Sequence, residues 1–518
     1  MKKTRILALI LSAMLIAGCS ACSSSTARTS DPSEPVTEIR VGWLSSPDSM
    51  DPANSNNSIG LNLCYDSLFN YNSETGEVEP NLVDTYEYLD DTTLQLTLKK
   101  GVTFSNGDEL KASDVLYSLR RVVDPETGSS FANYYSQYDL DNSYTVDDYT
   151  LVIKYTAPYG PGIGAMTAFQ DIVSESFYES KSAADLWDET CGTGAYTCVE
   201  NVSGSHTTYQ LRDNYWDTDH TPAVKTIVVT TYSEVSTMLA DFQNGDLDVM
   251  VGLDDSTITQ LENGEISDAA YKILTDYEQS YLMLPEYVSA FDDIRVRQAI
   301  ATGVDWASVA DVSVGKTGIV STSVLASTMT PYYKNEGAYE YDPDGARTLL
   351  QEAGYSDGDI VLSVLAGNSP SEQRFYEALQ GYLADIGITM SFECSDTNTI
   401  ISRQASGETD LFLMGGKGSV PYPEPYLALQ KATPDCPLKP CAISDPEWTE
   451  LFNNGLNTID SEKRIEYYNQ MQDWMKENCR WIPVYQQAGA LCWNTKVIAD
   501  IDTDTTTRLN LNNVTLAG

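Results

Sequence analysis

Few residues in this chain have the type and spacing that covalent chemistry needs. Only two histidines occur, His206 and His220, so histidine-based acid–base work and His-rich metal sites have little material. His206 follows Ser203 and Ser205 in Ser-Gly-Ser-His, but adjacent residues form a turn, because a triad needs groups that converge in space. The stretch Ala310 to Thr317 ends in Gly315-Lys316-Thr317 yet lacks the first glycine of a phosphate loop. Asp500, Asp502 and Asp504 alternate like calcium ligands, but Thr505 and Leu511 stand where such a loop needs Gly and Glu. With 75 acidic residues, carboxylate pairs arise by chance and nominate no glycosidase. The reading is a protein with no catalytic residues, no metal site and no cofactor.

One cysteine does have a chemical context. Lys2, Lys3 and Arg5 precede an apolar run from Ile6 to Ile16, too short for a comfortable membrane span and of signal-peptide length. The string Ile16-Ala17-Gly18-Cys19 resembles a bacterial lipobox, in which the cysteine is acylated and becomes the new N-terminus. That assigns 1–18 to a signal peptide and lipidation to Cys19. Residues 19–37 are Ser/Thr-rich with Pro32 and Pro35, a flexible tether. Its eighteen residues after Cys19 reach roughly 25 Å root-mean-square. The expected location is the outer face of the cytoplasmic membrane, held through the lipid alone. Beyond Cys22, eight cysteines remain, and an even number in an exported chain suggests disulfides. Cys191/Cys198, Cys436/Cys441 and Cys479/Cys492 are the expected pairs by proximity, although connectivity cannot be deduced from sequence.

Charge and composition narrow the partners. The 518 residues carry 31 Lys+Arg against 75 Asp+Glu, a net −44. Removal of the signal peptide takes three basic residues and makes it −47. Nucleic acid is excluded as a partner, since phosphate binding needs a cationic face. At 42% hydrophobic the chain can bury a large core.

The elements that must position any site are legible in part. Ile39–Trp43, Leu94–Leu98 and Leu151–Tyr155 alternate like half-buried strands, and Ile227-Val228-Val229 reads as a strand buried on both faces. Asp342-Pro343 caps a helix that Gly354 stops. Ser233 is the expected cap of a helix ending near Gly245, and apolar stripes predict further helices over 375–386 and 465–475. Strands and helices interleave, so the fold class is α/β, with two lobes and a crevice between them where a small ligand would bind.

Several collinear blocks then carry a family resemblance. Leu98 to Gly107 followed by Leu110-Lys111-Ala112-Ser113-Asp114-Val115 is the most characteristic, with Ser113 read as a helix cap. Gly192-Thr193-Gly194-Ala195-Tyr196, Asn214-Tyr215-Trp216, Asn244 to Asp248, Phe291 to Ile300 with Asp305, and Tyr341 to Tyr355 follow in order. From about Glu38 onward the chain resembles the extracytoplasmic solute-binding proteins of ABC transporters, in the large family that includes oligopeptide- and dipeptide-binding lipoproteins. The resemblance implies a non-catalytic, monomeric clamp of the periplasmic-binding-protein type that hands a peptide or other small molecule to ABC permease subunits. It further implies lobe I over 38–276 and 485–518, with an extra subdomain at about 70–188, and lobe II over 277–484.

Ligand contacts come from the same resemblance. Asn57 and Ser58 precede the Tyr65–Phe69 region and imply backbone contacts to the ligand. In peptide-binding relatives a stretch reading Gly-Trp-x-x-Asp-Tyr-x-Asp/Glu-Pro supplies an Asp for the peptide's α-ammonium group. Here it reads Lys417-Gly418-Ser419-Val420-Pro421-Tyr422-Pro423-Glu424-Pro425. Tyr422 and Glu424 match, with Lys417, Gly418 and Ser419 alongside, but Pro421 replaces the ammonium-binding Asp. A buried ammonium needs a counter-charge. Three readings stay open: Glu424 or another acid takes over, the ligand has no free α-amine, or the match is displaced by a few residues.

Overall fold

The computed structural model describes residues 36–45, 49–55, 58–72, 75–129, 131–168, 171–182, 185–187, 189–415, 425–501, 509 and 511–517. Its backbone is a nine-stranded mixed sheet. In chain order the strands are β1 (Glu38–Trp43), β2 (Tyr196–Val202), β3 (His206–Leu211), β4 (Thr226–Thr231), β5 (Val249–Val251), β6 (Ala269–Met283), β7 (Gly318–Val320), β8 (Phe412–Gly415) and β9 (Trp481–Asn494). In space they run β8-β6-β9-β5-β1-β4-β3-β2, with β7 added on β9. β1 lies parallel to β4 and β5, and the other pairings are antiparallel. The expected strand at Ile227–Val229 is half of β4, but Val228 is only half-buried, so the strand covers one face.

Apolar side chains separate into distinct cores. The first gathers residues from Ile39 to Val249 with Leu491 to Val514, the second runs from Leu282 to Tyr485, and the third joins Tyr71 to residues from Tyr281 to Trp481. Among the described strands β6 and β9 are the longest, and each carries residues of the first core at one end and of the second at the other. Their ladder is regular from Ala269↔Asn494 to Thr275↔Ala488, then residues 276–278 face the single residue 487 before Gln279↔Gln486. A second irregularity follows, where Ser280 pairs Tyr485 and Tyr281 pairs Pro483. Such bulges break the ladder and bend the strands where one core gives way to the next.

The remaining elements pack on this frame. Val83–Asp90, Thr93–Leu98, Thr150–Lys154 and Tyr144–Thr145 form an antiparallel sheet, and Val361–Gly367 pairs parallel with Thr389–Ser395 around the helix Pro370–Asp385. The helix Pro343–Glu352 starts as the sequence predicts, with the Asp342 carboxylate accepting from Gly345 N at 2.9 Å. Two caps fall elsewhere. Lys111, not Ser113, is the N-cap of Ala112–Val123, and the Asp114 carboxylate in the first turn accepts from Lys111 N at 2.9 Å. Glu234, not Ser233, precedes Val235–Asn244, and its side chain makes no cap bond.

The disulfide expectation is not met, as all eight cysteines beyond Cys22 are free thiols. Cys479 ends the helix Ser461–Asn478 in the second core, whereas Cys492 pairs with Met250 and Tyr271 at the far end of β9. Thirteen residues of nearly extended chain place them on the order of 40 Å apart, far outside the ~4.4–6.8 Å between Cα atoms that a bridge tolerates. Cys191 lies among Ser105, Ser174 and the Asn106 backbone, while the cysteine beside Cys198 is Cys64.

Candidate functional site

The segment expected to meet a ligand enters through a knot of polar groups. Asp51 is 4% exposed and takes both arms of Arg121, Nη1 to Oδ1 at 2.6 Å and Nη2 to Oδ2 at 2.5 Å. The same guanidinium sits 5.0 Å over the Tyr178 ring, and Tyr178 and Tyr65 share a hydroxyl–hydroxyl bond of 2.7 Å. Tyr65 OH also donates to Met50 O at 3.0 Å. Asp51 Oδ1 accepts from Ala53 N, and Ser55 Oγ donates to Ser49 O. These bonds fix the chain on both sides of the short helix Ser58–Cys64. Ser58 opens that helix, while Asn57 lies outside the described residues.

Family blocks that are distant in sequence converge below this helix. Asp66 Oδ2 accepts from Thr193 Oγ1 at 2.8 Å, and Trp216 Nε1 donates to Thr193 O at 3.1 Å. Burial pushes the Asp66 carboxyl up, opposed by its bonds to Thr193 and Trp216. Gly192 and Gly194 are required by approach: a Cβ on either would sit 2.2 to 2.5 Å from the Cys64 backbone. Beside them a polar cavity of about 530 Å³ opens, lined by Asn62, Asp66, Asn81, Lys99, Tyr215 and Asp217 among others. It touches the C-terminal end of the helix, whereas Ser58 is at its start.

On the other side, β8 ends at Gly415 and the helix Pro425–Leu429 begins ten residues later. The residues between them include Lys417, Gly418, Ser419, Pro421, Tyr422 and Glu424, which all lie outside the described residues. Both stems are anchored in the third core through Met414 and Leu429.

A buried polar seam, which the sequence reading missed, lies at the irregular part of the β6/β9 ladder. Gln486 Oε1 accepts from Ser327 N at 3.0 Å and Ser327 Oγ at 2.8 Å, Gln279 Nε2 donates to Ser323 O, and Tyr281 OH donates to Val324 O at 2.8 Å. Thus segment 323–327 is bound to both long strands at their irregularity. The early half of the chain reaches the backbone just beyond this segment: Tyr71 OH donates to Thr330 O at 2.6 Å, and Tyr71 belongs to the third core. A further contact joins the halves, where Gly160 N donates to Leu456 O at 2.8 Å and Tyr159 packs edge-on against Tyr426. A glutamine inside a strand was the available signal for the seam, but its burial depends on neighbours that local sequence does not name.

Residues that resembled catalytic motifs have structural partners instead. Lys316 is ion-paired with Glu262, and His206 contacts Ser205 and Glu200 at the exposed end of β3. Among the described residues no cluster of His, Cys, Asp or Glu could hold a metal ion, and no helix is long and apolar enough to cross a membrane.

Comparison with known proteins fits this arrangement. The profile of bacterial extracellular solute-binding proteins, family 5 (middle), matches residues 77–435. The chain is 23% identical to Heme-binding protein A of Haemophilus influenzae, covering 94% of this chain and 95% of that one. It is 24% identical to the Dipeptide-binding protein of Escherichia coli, covering 79% and 81%. The solved structure of HbpA2 from Haemophilus parasuis superposes with a TM-score of 0.82 at 20% identity, over 93% of this chain and all of that one. The two-lobed α/β clamp predicted from sequence is therefore the fold, and solute binding rather than catalysis is what the relatives do. The chain belongs to the bacterial extracellular solute-binding proteins of family 5.

Proposed function

We propose that this protein is the lipid-anchored receptor of an ABC importer, capturing a peptide between its two lobes and presenting it to the permease subunits. The observation that carries the reading is the strand pair β6/β9, which joins two separate cores and departs from regular pairing around Gln279 and Gln486. Two rigid bodies joined by two bent strands can close around a ligand, and ligand contacts made only in the closed state bias that equilibrium. The lobe boundaries we propose are 38–276 with 485–518, including the subdomain at about 70–188, and 277–484. Asn57 and Ser58 from one side, and Lys417, Gly418, Ser419, Tyr422 and Glu424 from the other, supply the ligand contacts. Cys19 carries the lipid, and residues 20–37 let a monomer stand off the membrane.

Peptide capture is supported by relatives such as the Dipeptide-binding protein of Escherichia coli. Pro421 favours a second reading, in which the solute has no free α-amine; a relative named Heme-binding protein A is compatible with a non-peptide solute. Native mass spectrometry and thermal-shift titration of the purified protein with di- to hexapeptides test both readings. Peptide adducts with a raised melting temperature are the expected outcome. Stabilisation by N-acetylated peptides but not free ones would point to the second reading, and no response to any peptide would sink the peptide assignment. Labelled palmitate in the same preparation should be lost on Cys19→Ala.

A further inference from the structure

The polar cavity of about 530 Å³ at the end of the helix Ser58–Cys64 is distinct from the cleft in which the peptide reading places its ligand. Among the described residues its wall comes from positions 62–222 and from Asn512 and Asn513, and nothing from 223–511 lines it. The C-terminal 3-10 turn Leu511–Asn513 closes one side, where Asn512 Nδ2 donates to Asn62 O at 2.9 Å. The volume is that of a small-molecule site, for which ~300–1,000 Å³ is usual.

Four acids line the cavity, and each is already engaged. Asp66 accepts from Thr193 Oγ1 at 2.8 Å, Glu79 accepts from Asn72 Nδ2 at 3.1 Å, and Asp217 lies 2.9 Å from His220 Nδ1. Asp171, 9% exposed, also has a partner. The groups left over are of another kind. The Asn62 amide, the Asn81 Oδ1, the Tyr215 hydroxyl and the Lys99 ammonium belong to residues of the same wall and make no hydrogen bond or ion pair with the described residues. Asn81 commits only its Nδ2, to Ser67 O at 3.0 Å. Lys99 lies 6.0 Å over the Trp216 ring and pairs with none of the four carboxylates around the cavity. The uncommitted set therefore mixes neutral donors and acceptors with a single cation.

We infer that this cavity is a second binding site, for a neutral polyhydroxylated molecule of the mono- or disaccharide class. A hydroxyl donates one hydrogen bond and accepts two, so a polyol can satisfy amide, phenol and ammonium groups together. An anion would face four carboxylates with one ammonium to hold it. An organic cation would find every carboxylate taken and Lys99 opposing it. An apolar ligand would strip the wall of water without replacing the bonds. The rings of Tyr65, Tyr71 and Tyr215 give the wall apolar surface for the C–H faces of a sugar.

Saturation-transfer NMR of the purified protein in physiological salt tests the assignment. The probes are maltose, N-acetylglucosamine and myo-inositol at millimolar concentration, with choline and citrate as charged comparators. Transfer to at least one of the three neutral probes is the expected result. Lys99→Met and Tyr215→Phe each remove one bond to the ligand and should weaken that binding about five- to tenfold in titration. Lys100→Met alters the neighbouring exposed lysine, which does not line the cavity, and should leave the affinity unchanged. Melting curves check that each variant is folded. Transfer to none of the neutral probes would overturn the inference and leave water as the partner of these groups. Binding of choline or citrate alone would overturn it as well. So would a sugar affinity that both Lys99→Met and Tyr215→Phe leave unchanged, because the sugar would then sit elsewhere, the inter-lobe cleft included.

Discussion

At the scale of single residues, the matched family blocks are mostly framework. Arg297, 5% exposed, donates to the carbonyls of Phe291, Asp292 and Asn478, and Arg40 is held by Asp248 through its backbone N–H, Nε and Nη2. Burial, with Arg480 nearby, lowers Arg297 to about 10. Asp51 and Arg121 do the same work beside the candidate site, 70 residues apart in sequence. Removing Arg121 leaves a buried carboxylate without its counter-charge, which costs ~3–5 kcal/mol. Arg121→Ala should therefore lower stability by about that amount in chemical denaturation. Arg121→Lys should fall between, because a single ammonium cannot satisfy both carboxylate oxygens or stack flat on Tyr178. Equal stability of Arg121→Ala and the natural chain would show that this pair does not hold the segment before Ser58.

At the scale of elements, end signals were read correctly where the capping residue also has the right backbone. Asp342-Pro343 combines a short acceptor with a fixed φ, and the helix begins there. Ser113 and Ser233 are equally good acceptors by type, but the helices start one residue before the first and two after the second. Neighbouring helix ends show a pH signature. Asp293 caps Ile294–Thr302 through Arg295 N, and its bonds from the Arg295 guanidinium and backbone lower the carboxyl to about 2. An unfolded Asp titrates near ~3.9. Its contribution is fully present above that value and is lost as pH falls through about 2. Solvent screens the pair, so the effect is modest. Melting temperatures at pH 5 and pH 2.5 should differ less in Asp293→Ala than in the natural chain; an unchanged difference would refute the assignment.

At the scale of the whole molecule, contacts such as Tyr71 on Thr330, Tyr159 on Tyr426, and Gly160 on Leu456 join the early half of the chain to the late half away from the central sheet. Gly160 has no room for a side chain, since a Cβ would meet Thr458 O at 2.3 Å and Arg464 Cδ at 2.8 Å. Gly160→Ala should push the halves apart at a cost of ~1–3 kcal/mol. Small-angle scattering should then report a larger radius of gyration, and ligand affinity should fall about tenfold or more. An unchanged scattering curve would mean that this contact does not hold the two halves together. The net charge of −44 acts on solubility and non-specific contacts at this scale and does not choose the ligand.

What the sequence determined by itself was local or collinear. Strand alternation, apolar helix stripes, the Asp342 cap and the order of the family blocks were enough for an α/β clamp of the solute-binding kind. They were enough because each depends on residues within a few positions of one another, or on a pattern read along one line. The tertiary structure decided everything that needed distant residues to meet. It put Tyr71 in a core otherwise built from residues 281 to 481, moved the neighbour of Cys198 from Cys191 to Cys64, and buried Gln279 and Gln486 at the bend of two strands. The sequence offered no route to these, because a side chain's burial and partner depend on which segments of chain return to it, and that follows from the packing of the whole core rather than from the residue's own neighbours.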